Sequence, residues 1–65
     1  MFKDVNIGEG VGIGYNVTIN PGVSIGKGAE VAAGSVVTRN IDSFSIAAGN
    51  PATIIGKRSG FKSTL

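Results

Sequence analysis

Residues 5–40 decide the fold, because they consist of six consecutive hexapeptides: VNIGEG, VGIGYN, VTINPG, VSIGKG, AEVAAG and SVVTRN. The third residue of each hexapeptide is Ile or Val, and the sixth is Gly or Asn. A period of six differs from the 3.6-residue repeat of an α-helix and from the two-residue alternation of an ordinary strand. A short, fixed repeat of β-branched residues punctuated by Gly therefore predicts a parallel β-helix, in which successive coils stack on one another.

Each hexapeptide is expected to form a short strand followed by a turn, because Gly and Asn tolerate the left-handed backbone conformation of a tight corner. If three hexapeptides form one triangular coil, equivalent residues of successive coils are eighteen apart. About two coils then span residues 5–40, around an interior column of β-branched side chains. The stacked inward pairs would be Ile7 with Ile25, Ile13 with Val31, and Ile19 with Val37.

The hexapeptide pattern does not continue after Asn40. Residues 41–45 break it, a short strand is expected at residues 44–47, and Gly49-Asn50-Pro51 is a strong turn signal. Residues 53–55 are apolar again and fit either a last strand or the start of a short helix. We therefore predict one truncated β-helix domain over residues 1–58 and a flexible C-terminal tail over residues 59–65.

The composition excludes several kinds of site and partner. The 65-residue chain has no Cys and no His, so a disulfide is excluded and a metal site is not expected. So small a domain is marginally stable alone, which favours association with other chains. Its apolar runs are too short to span a bilayer and no signal peptide is seen, so we expect a cytoplasmic protein without a membrane partner. Nucleic acid is not an expected partner, because the net charge is only +2 and no aromatic platform lies within a basic stripe.

Two motifs at their spacing point to a family. The chain contains IGYNVTINPGVSIGKGAEVAAGSVVT followed by IAAGNPATIIGKR, and this combination resembles the C-terminal half of the hexapeptide-repeat acyltransferases. The maltose, galactoside and xenobiotic acetyltransferases and the sugar O-acetyltransferases form the group it resembles. The resemblance covers residues 5–58. It implies an all-β, left-handed parallel β-helix of about two coils with a short C-terminal extension, a homotrimer, and acetyl-CoA as the acyl donor.

The same resemblance implies which residues contact the donor. In the family, backbone groups near AAGSVVT line the path of the pantetheine arm, AGNPA lies at the lower part of that path, and basic residues after GNPA approach the CoA phosphates. The chemistry agrees, because an Arg guanidinium offers a fork of donors to phosphate oxygens and a Lys amine offers a mobile charge. The residues carried over are Ala33, Gly34, Ser35, Gly49, Asn50, Pro51, Ala52, Lys57 and Arg58.

The catalytic base of the family is absent from this sequence. In such enzymes a His between neighbouring subunits acts as general base on the acceptor hydroxyl, and this chain has no His. Asp42 and Glu9 are the only candidate substitutes, and no pattern places either beside a thioester. We therefore expect the donor half of an O-acyltransferase, inactive alone and without an assigned catalytic residue. Two alternatives stay open: a piece cropped from a longer enzyme, and a self-associating β-helix module without a ligand.

Self-association would have a physical cause. If no coil precedes residue 5, the first coil exposes unpaired strand edges and the end of the Ile/Val column, and such edges pair with other chains. We expect Phe2 to fold over the column, or two chains to meet there end to end and turn a trimer into a hexamer. Tyr15 is expected to be a packed or subunit-interface aromatic rather than a substrate contact.

Overall fold

The computed structural model describes residues 4–58. In this range the chain forms eight β-strands and no helix. Six of the strands contain two residues each, because a corner turns the chain at the end of every hexapeptide. The strands are β1 (Asn6–Ile7), β2 (Gly12–Ile13), β3 (Thr18–Ile19), β4 (Ser24–Ile25), β5 (Glu30–Val31), β6 (Val36–Val37), β7 (Ser45–Gly49) and β8 (Ala52–Lys57).

The first six strands form the three faces of a triangular solenoid. β1 pairs with β4, β2 with β5 and β3 with β6, and all three pairs are parallel. Partners are eighteen residues apart, which confirms the prediction of three hexapeptides per coil. The predicted stacking pairs are all found: Ile7 with Ile25, Ile13 with Val31, and Ile19 with Val37.

The predicted corner conformation occurs at five of the six hexapeptide ends, where φ is positive at residues 10, 16, 22, 28 and 34. Asn40 does not adopt it, which corrects the prediction for that residue. Its side-chain Oδ1 instead accepts a hydrogen bond from Ser24 N at 2.8 Å. In the coil above, the equivalent N–H, that of Asn6, donates to the carbonyl of Val23. The Asn40 side chain therefore replaces a backbone acceptor.

Asn40 differs because the segment from Val37 to Ile41 is two residues shorter than the equivalent segment of the coil above, from Ile19 to Ile25. Ile25 bridges Ile41 and Val31 lies opposite Ala47, sixteen residues later in both cases. The hexapeptide spacing breaks where the sequence indicates, but the solenoid continues. In the new register Phe44 falls on the corner position of Gly28, and it takes a positive φ of 58° that a bulky residue rarely adopts.

A β-hairpin completes the sheet of the second face, whose strand order is β2-β5-β7-β8. β7 lies parallel to β5, and β8 returns antiparallel to β7 with a bulge between Ile46 and Ala47. The turn at residues 50–51 contains a cis Asn50–Pro51 bond. Residues 53–55, which the sequence left open, belong to a strand. The preceding strand begins at Ser45, one residue later than predicted.

The hydrophobic core lies in the second and third coils. In the first coil the inward side chains of Ile7 and Ile13 are 49% and 41% exposed, since no described residue lies above them. The predicted cap Phe2 and the tail at residues 59–65 lie outside the described residues. Residues 4–58 contain no helix long and apolar enough to cross a membrane. The buried core residues are Val23, Ile25, Ala29, Val31, Val37, Ile41 and Ala47.

Candidate functional site

The structure brings two of the predicted donor-binding segments together at one corner of the solenoid. Ser35 is fully buried, and its Oγ accepts a hydrogen bond from Gly49 N at 3.2 Å. The hydroxyl faces inward because Ser35 occupies the first position of its hexapeptide, where the preceding repeats place Val23 and Ala29 in the core. Residues 33–35 and the turn at residues 49–52 therefore form one continuous surface, which we call the donor corner.

The accessible part of the donor corner is mainly backbone. Ala33 and Gly34 are exposed, as are Gly49 and Asn50. Gly34 N donates to a carbonyl of the coil above at 2.8 Å, whereas the N–H of Ala33 has no backbone partner within residues 4–58. Ala33, Gly34 and Gly49 carry no side chain larger than a methyl group, so an extended ligand can approach the backbone closely.

A cleft of ≈ 490 Å³ adjoins the donor corner. Arg39 is exposed in it, and within the described residues its guanidinium has no hydrogen bond or ion pair. The sequence analysis did not assign Arg39, although a basic residue two positions after the last regular hexapeptide strand was the available signal. The lining residues are Thr38, Arg39, Asn40 and Ile41 on one side and Pro51, Ala52, Thr53 and Ile54 on the other.

The two basic residues predicted to bind phosphate make contacts within the chain. Lys57 Nζ donates to Oγ of the buried Ser45 at 3.1 Å. Arg58 Nη1 donates to the carbonyl of Gly28 at 2.9 Å and lies 3.5 Å from that of Gly10. Its Nε lies 3.7 Å from Glu30 Oε1. Arg58 thereby ties the C-terminal end of the hairpin to one corner of the first and second coils.

Lys57 and Arg58 also lie far from the donor corner. In the hairpin Lys57 is opposite Ser45, whereas Ala52 is opposite Gly49 at the other end. β8 is six residues long, so Lys57 lies about 17 Å along the strand from Ala52 at about 3.4 Å per residue. The structure thus joins residues 33–35 with residues 49–52 and keeps Lys57 and Arg58 apart from them.

Tyr15 does not pack within the described chain, because its side chain is 86% exposed. This corrects the packed alternative and leaves the subunit-interface alternative as a prediction. Residues 4–58 contain no group of three or more His, Cys, Asp or Glu side chains arranged to hold a metal ion. Glu9 and Asp42, the two acids considered above, are exposed and do not line the cleft.

Comparison with known proteins identifies the repeat. The family described as bacterial transferase hexapeptide (six repeats) matches residues 4–39, more than half of the chain. Comparison with curated protein sequences gives no significant match.

Solved structures share the fold. A galactoside acetyltransferase in complex with coenzyme A has 43% identity and a TM-score of 0.84 over 86% of this chain and 28% of its own. A maltose O-acetyltransferase from Clostridium difficile 630 has 45% identity and a TM-score of 0.83, over 85% and 29%. A hexapeptide-repeat acetyltransferase from Vibrio cholerae O1 biovar eltor, complexed with acetyl-coenzyme A, has 42% identity and a TM-score of 0.83, over 85% and 30%.

This chain thus spans less than a third of the length of these solved structures. The likeness confirms the predicted all-β, left-handed parallel β-helix and the resemblance to the galactoside and maltose acetyltransferases.

Proposed function

Because the chain belongs to the bacterial transferase hexapeptide family, we propose that it binds coenzyme A or acetyl-coenzyme A along the donor corner. The observation that carries this proposal is the hydrogen bond from Gly49 N to the buried Ser35 Oγ, which joins the two donor-binding segments. Two similar structures support it, since the galactoside acetyltransferase holds coenzyme A and the Vibrio cholerae acetyltransferase holds acetyl-coenzyme A. In this role the chain is the donor half of an O-acyltransferase.

The donor corner suits a pantetheine arm, which is an extended chain carrying two amides. The Ala33 N–H is an unoccupied donor within the described chain and can bind a pantetheine carbonyl. Ala33 and Gly34 present no side chain larger than a methyl group, so the arm can lie directly against the backbone. One such hydrogen bond contributes about 0.5–1.5 kcal/mol net.

Arg39 is the residue that the geometry favours for the CoA phosphates. It lies in the cleft that adjoins the donor corner, it is exposed, and it has no competing partner in the described range. Its guanidinium can bind two phosphate oxygens at once. Lys57 and Arg58 stay predictions for the same role, and to reach a phosphate they would first give up Ser45 and the corner carbonyls.

The proposed half-site lacks its own general base. The sequence contains no His, so no imidazole of this chain can take the proton from an acceptor hydroxyl. Acyl transfer would therefore need a His from another coil or another chain. We expect the purified chain to release thiol from acetyl-coenzyme A no faster than buffer does, even where it binds the donor.

Calorimetric titration tests donor binding. The wild-type chain, Arg39→Ala, and the double variant Lys57→Ala/Arg58→Ala are titrated with CoA and with dephospho-CoA. Lys27→Ala is the matched control, because Lys27 is an exposed cation outside the donor corner and its cleft. Loss of a charge-assisted hydrogen bond costs about 1.5–3 kcal/mol, so Arg39→Ala should weaken CoA binding by about tenfold or more.

The outcomes separate the possible phosphate ligands. A loss of CoA affinity confined to Arg39→Ala supports the proposed orientation of the donor. A loss confined to the Lys57/Arg58 double variant would assign the CoA phosphates to the other end of the hairpin. Absence of binding at millimolar CoA would overturn the proposed function. Equal losses of CoA affinity in Arg39→Ala and Lys27→Ala would mean that binding depends on the net charge of the chain and not on the position of Arg39.

A second candidate function is self-association without a ligand. It is favoured by the inward side chains of the first coil, where Ile7 and Ile13 are 49% and 41% exposed. A trimer whose first coils pair end to end would form a hexamer and cover them. Sedimentation velocity of the wild type and of Ile7→Ser/Ile13→Ser tests this, with the double variant expected to stop at the trimer. A wild-type monomer at micromolar concentration would exclude it.

A further inference from the structure

β8 is an open sheet edge at the C-terminal end of the solenoid. It is the last strand in the order β2-β5-β7-β8, so among the described residues only β7 pairs with it. With six residues it is the longest strand of residues 4–58, whereas the strands of the first coil have two residues each. A long strand with one unpaired edge is a template for pairing with another chain. The C-terminal end of the solenoid is therefore better suited to strand pairing than the N-terminal end.

The side chains along this edge are apolar. Ile54 and Ile55 are 47% and 65% exposed, and residues 46–56 contain no charged side chain. Proteins commonly protect an exposed edge with Lys, with Pro or with a bulge. Pro51 precedes the strand and Lys57 is its last residue, so neither lies within the apolar segment.

The bulge of β8 leaves one of these residues without a partner in the hairpin. Ile46 pairs with Gly56 and Ala47 pairs with Ile54, so Ile55 is the additional residue and has no partner on β7. A Cβ added to Gly56 would meet nothing within 4 Å. The space beside the bulge is therefore open to an approaching strand in the described part of the chain.

The edge is complementary to a second copy of itself. Two identical antiparallel strands are related by a two-fold axis, which requires a self-complementary surface. With the axis at Ile54, this residue lies opposite its own equivalent and Thr53 lies opposite Ile55, so β-branched side chains meet across the pair. Lys57 is three residues from the axis, so the two copies of Lys57 are about 20 Å apart at about 3.4 Å per residue. Salt screens their repulsion at that distance.

We propose that β8 pairs antiparallel with β8 of a second copy of this chain, with Ile54 at the two-fold axis. The strands of the sheet follow one another along the solenoid axis, so this pairing joins two solenoids at their C-terminal ends and continues the four-stranded sheet into that of the second copy. It buries Ile54 and Ile55 of both copies and pairs backbone groups of the open edge. Ile55 lies outside the donor corner and its cleft, and the inference does not depend on donor binding.

Disulfide cross-linking tests the register. The chain contains no Cys, so a single introduced Cys can react only with its equivalent in another copy. Ile54→Cys places the two Cα atoms about 4.5–5.5 Å apart, which a disulfide can bridge. We expect covalent dimers of Ile54→Cys on oxidation and none of the matched control Lys57→Cys. Ile7→Cys is a second control, because it reports a contact through the first coils.

Sedimentation velocity over a concentration series tests the contribution of the apolar edge. Ile55→Lys introduces a charge on the edge of both copies, and we expect it to raise the dissociation constant of this pairing about tenfold or more. Ile55→Val, the matched control, keeps a β-branched side chain and should associate as the wild type does. Urea unfolding of each variant verifies that it is folded.

The outcomes distinguish the two ends of the solenoid. Cross-linking of Ile54→Cys together with weaker association of Ile55→Lys supports the proposal. Cross-linking of Ile7→Cys alone would assign self-association to the first coils and overturn it. Equal association of Ile55→Lys and the wild type, or a wild type that does not associate, would overturn it as well. None of these results changes the calorimetric test of CoA binding, so the proposed function stands or fails separately.

Discussion

Replacing Gly28 by Ala should destabilise the solenoid more than replacing Gly34 by Ala, although the two glycines have nearly the same backbone conformation. Their φ angles are 71° and 76°. A Cβ added at Gly28 would overlap two ring carbons of Phe44, whereas a Cβ at Gly34 would meet nothing within 4 Å. The comparison thus separates the cost of the left-handed backbone from the cost of crowding Phe44.

The magnitudes follow from these two terms. A left-handed conformation costs an Ala about 1–2 kcal/mol, and this term is common to both variants. Overpacking a well-filled contact adds about 1–3 kcal/mol, and only Gly28→Ala has this second term. We therefore expect Gly28→Ala to lower the free energy of unfolding by about 2–5 kcal/mol and Gly34→Ala to lower it by about 1–2 kcal/mol. The difference corresponds to a Tm lower by at least about 4 °C in a domain of this size.

Urea unfolding followed by far-ultraviolet circular dichroism, at a fixed protein concentration, measures both values. A double-mutant cycle with Phe44→Ala isolates the contact. In the Phe44→Ala background Gly28→Ala should cost no more than Gly34→Ala does. Equal costs of the two glycine substitutions in the wild-type background would refute the packing of Phe44 against the Gly28 corner.

Three further substitutions test the core, the Arg58 contacts and the donor corner. Ile25→Ala should lower the free energy of unfolding by about 2–5 kcal/mol. Ile7→Ala in the same column should lower it by less than half of that, because Ile25 is 2% exposed and Ile7 is 49% exposed. Equal losses in urea unfolding would contradict an open first coil. Arg58→Ala should lower the free energy of unfolding by about 1–3 kcal/mol, because the hydrogen bonds to the corner carbonyls are lost. Glu30→Gln should lower it by less than about 1 kcal/mol, because it removes only a partly exposed ion pair. The reverse order in thermal melts would refute this account. Ser35→Ala should lower the free energy of unfolding by about 1 kcal/mol, because it leaves an N–H of the hairpin turn without its partner. Calorimetry of the same variant should show weaker CoA binding. Unchanged affinity would mean that this hydrogen bond does not contribute to CoA binding.

Much of the solenoid could be predicted because its information is local and repeated. Each hexapeptide places a β-branched residue inward and a Gly or Asn at a corner, and stacking of identical units then sets the register. The pairing of Ile7 with Ile25 follows from counting alone. The role of the AAGS and GNPA motifs in donor binding stays a prediction from the family resemblance. The cytoplasmic location and the absence of nucleic-acid and membrane partners stay predictions of the composition.

The third coil shows where local information ends. Losing two residues between Val37 and Ile41 shifts every later position, so Phe44 stands where the repeat calls for Gly and the Asn40 side chain serves as a backbone acceptor. The sequence shows that the hexapeptide pattern stops after Asn40, but it does not show that the solenoid continues with two residues fewer. The shift becomes visible only when Ile41 is paired with Ile25 of the coil above.

By itself the sequence determined the β-helix, its period, its inward column and the lack of an imidazole base, because each depends on residue type or on spacing within one repeat. Only the tertiary structure decided which polar groups meet. Ser35 reaches Gly49 across fourteen residues, and Arg58 reaches the Gly28 carbonyl across thirty. Contacts at such separations depend on the coil lengths between them, so they exist only once all three coils have stacked.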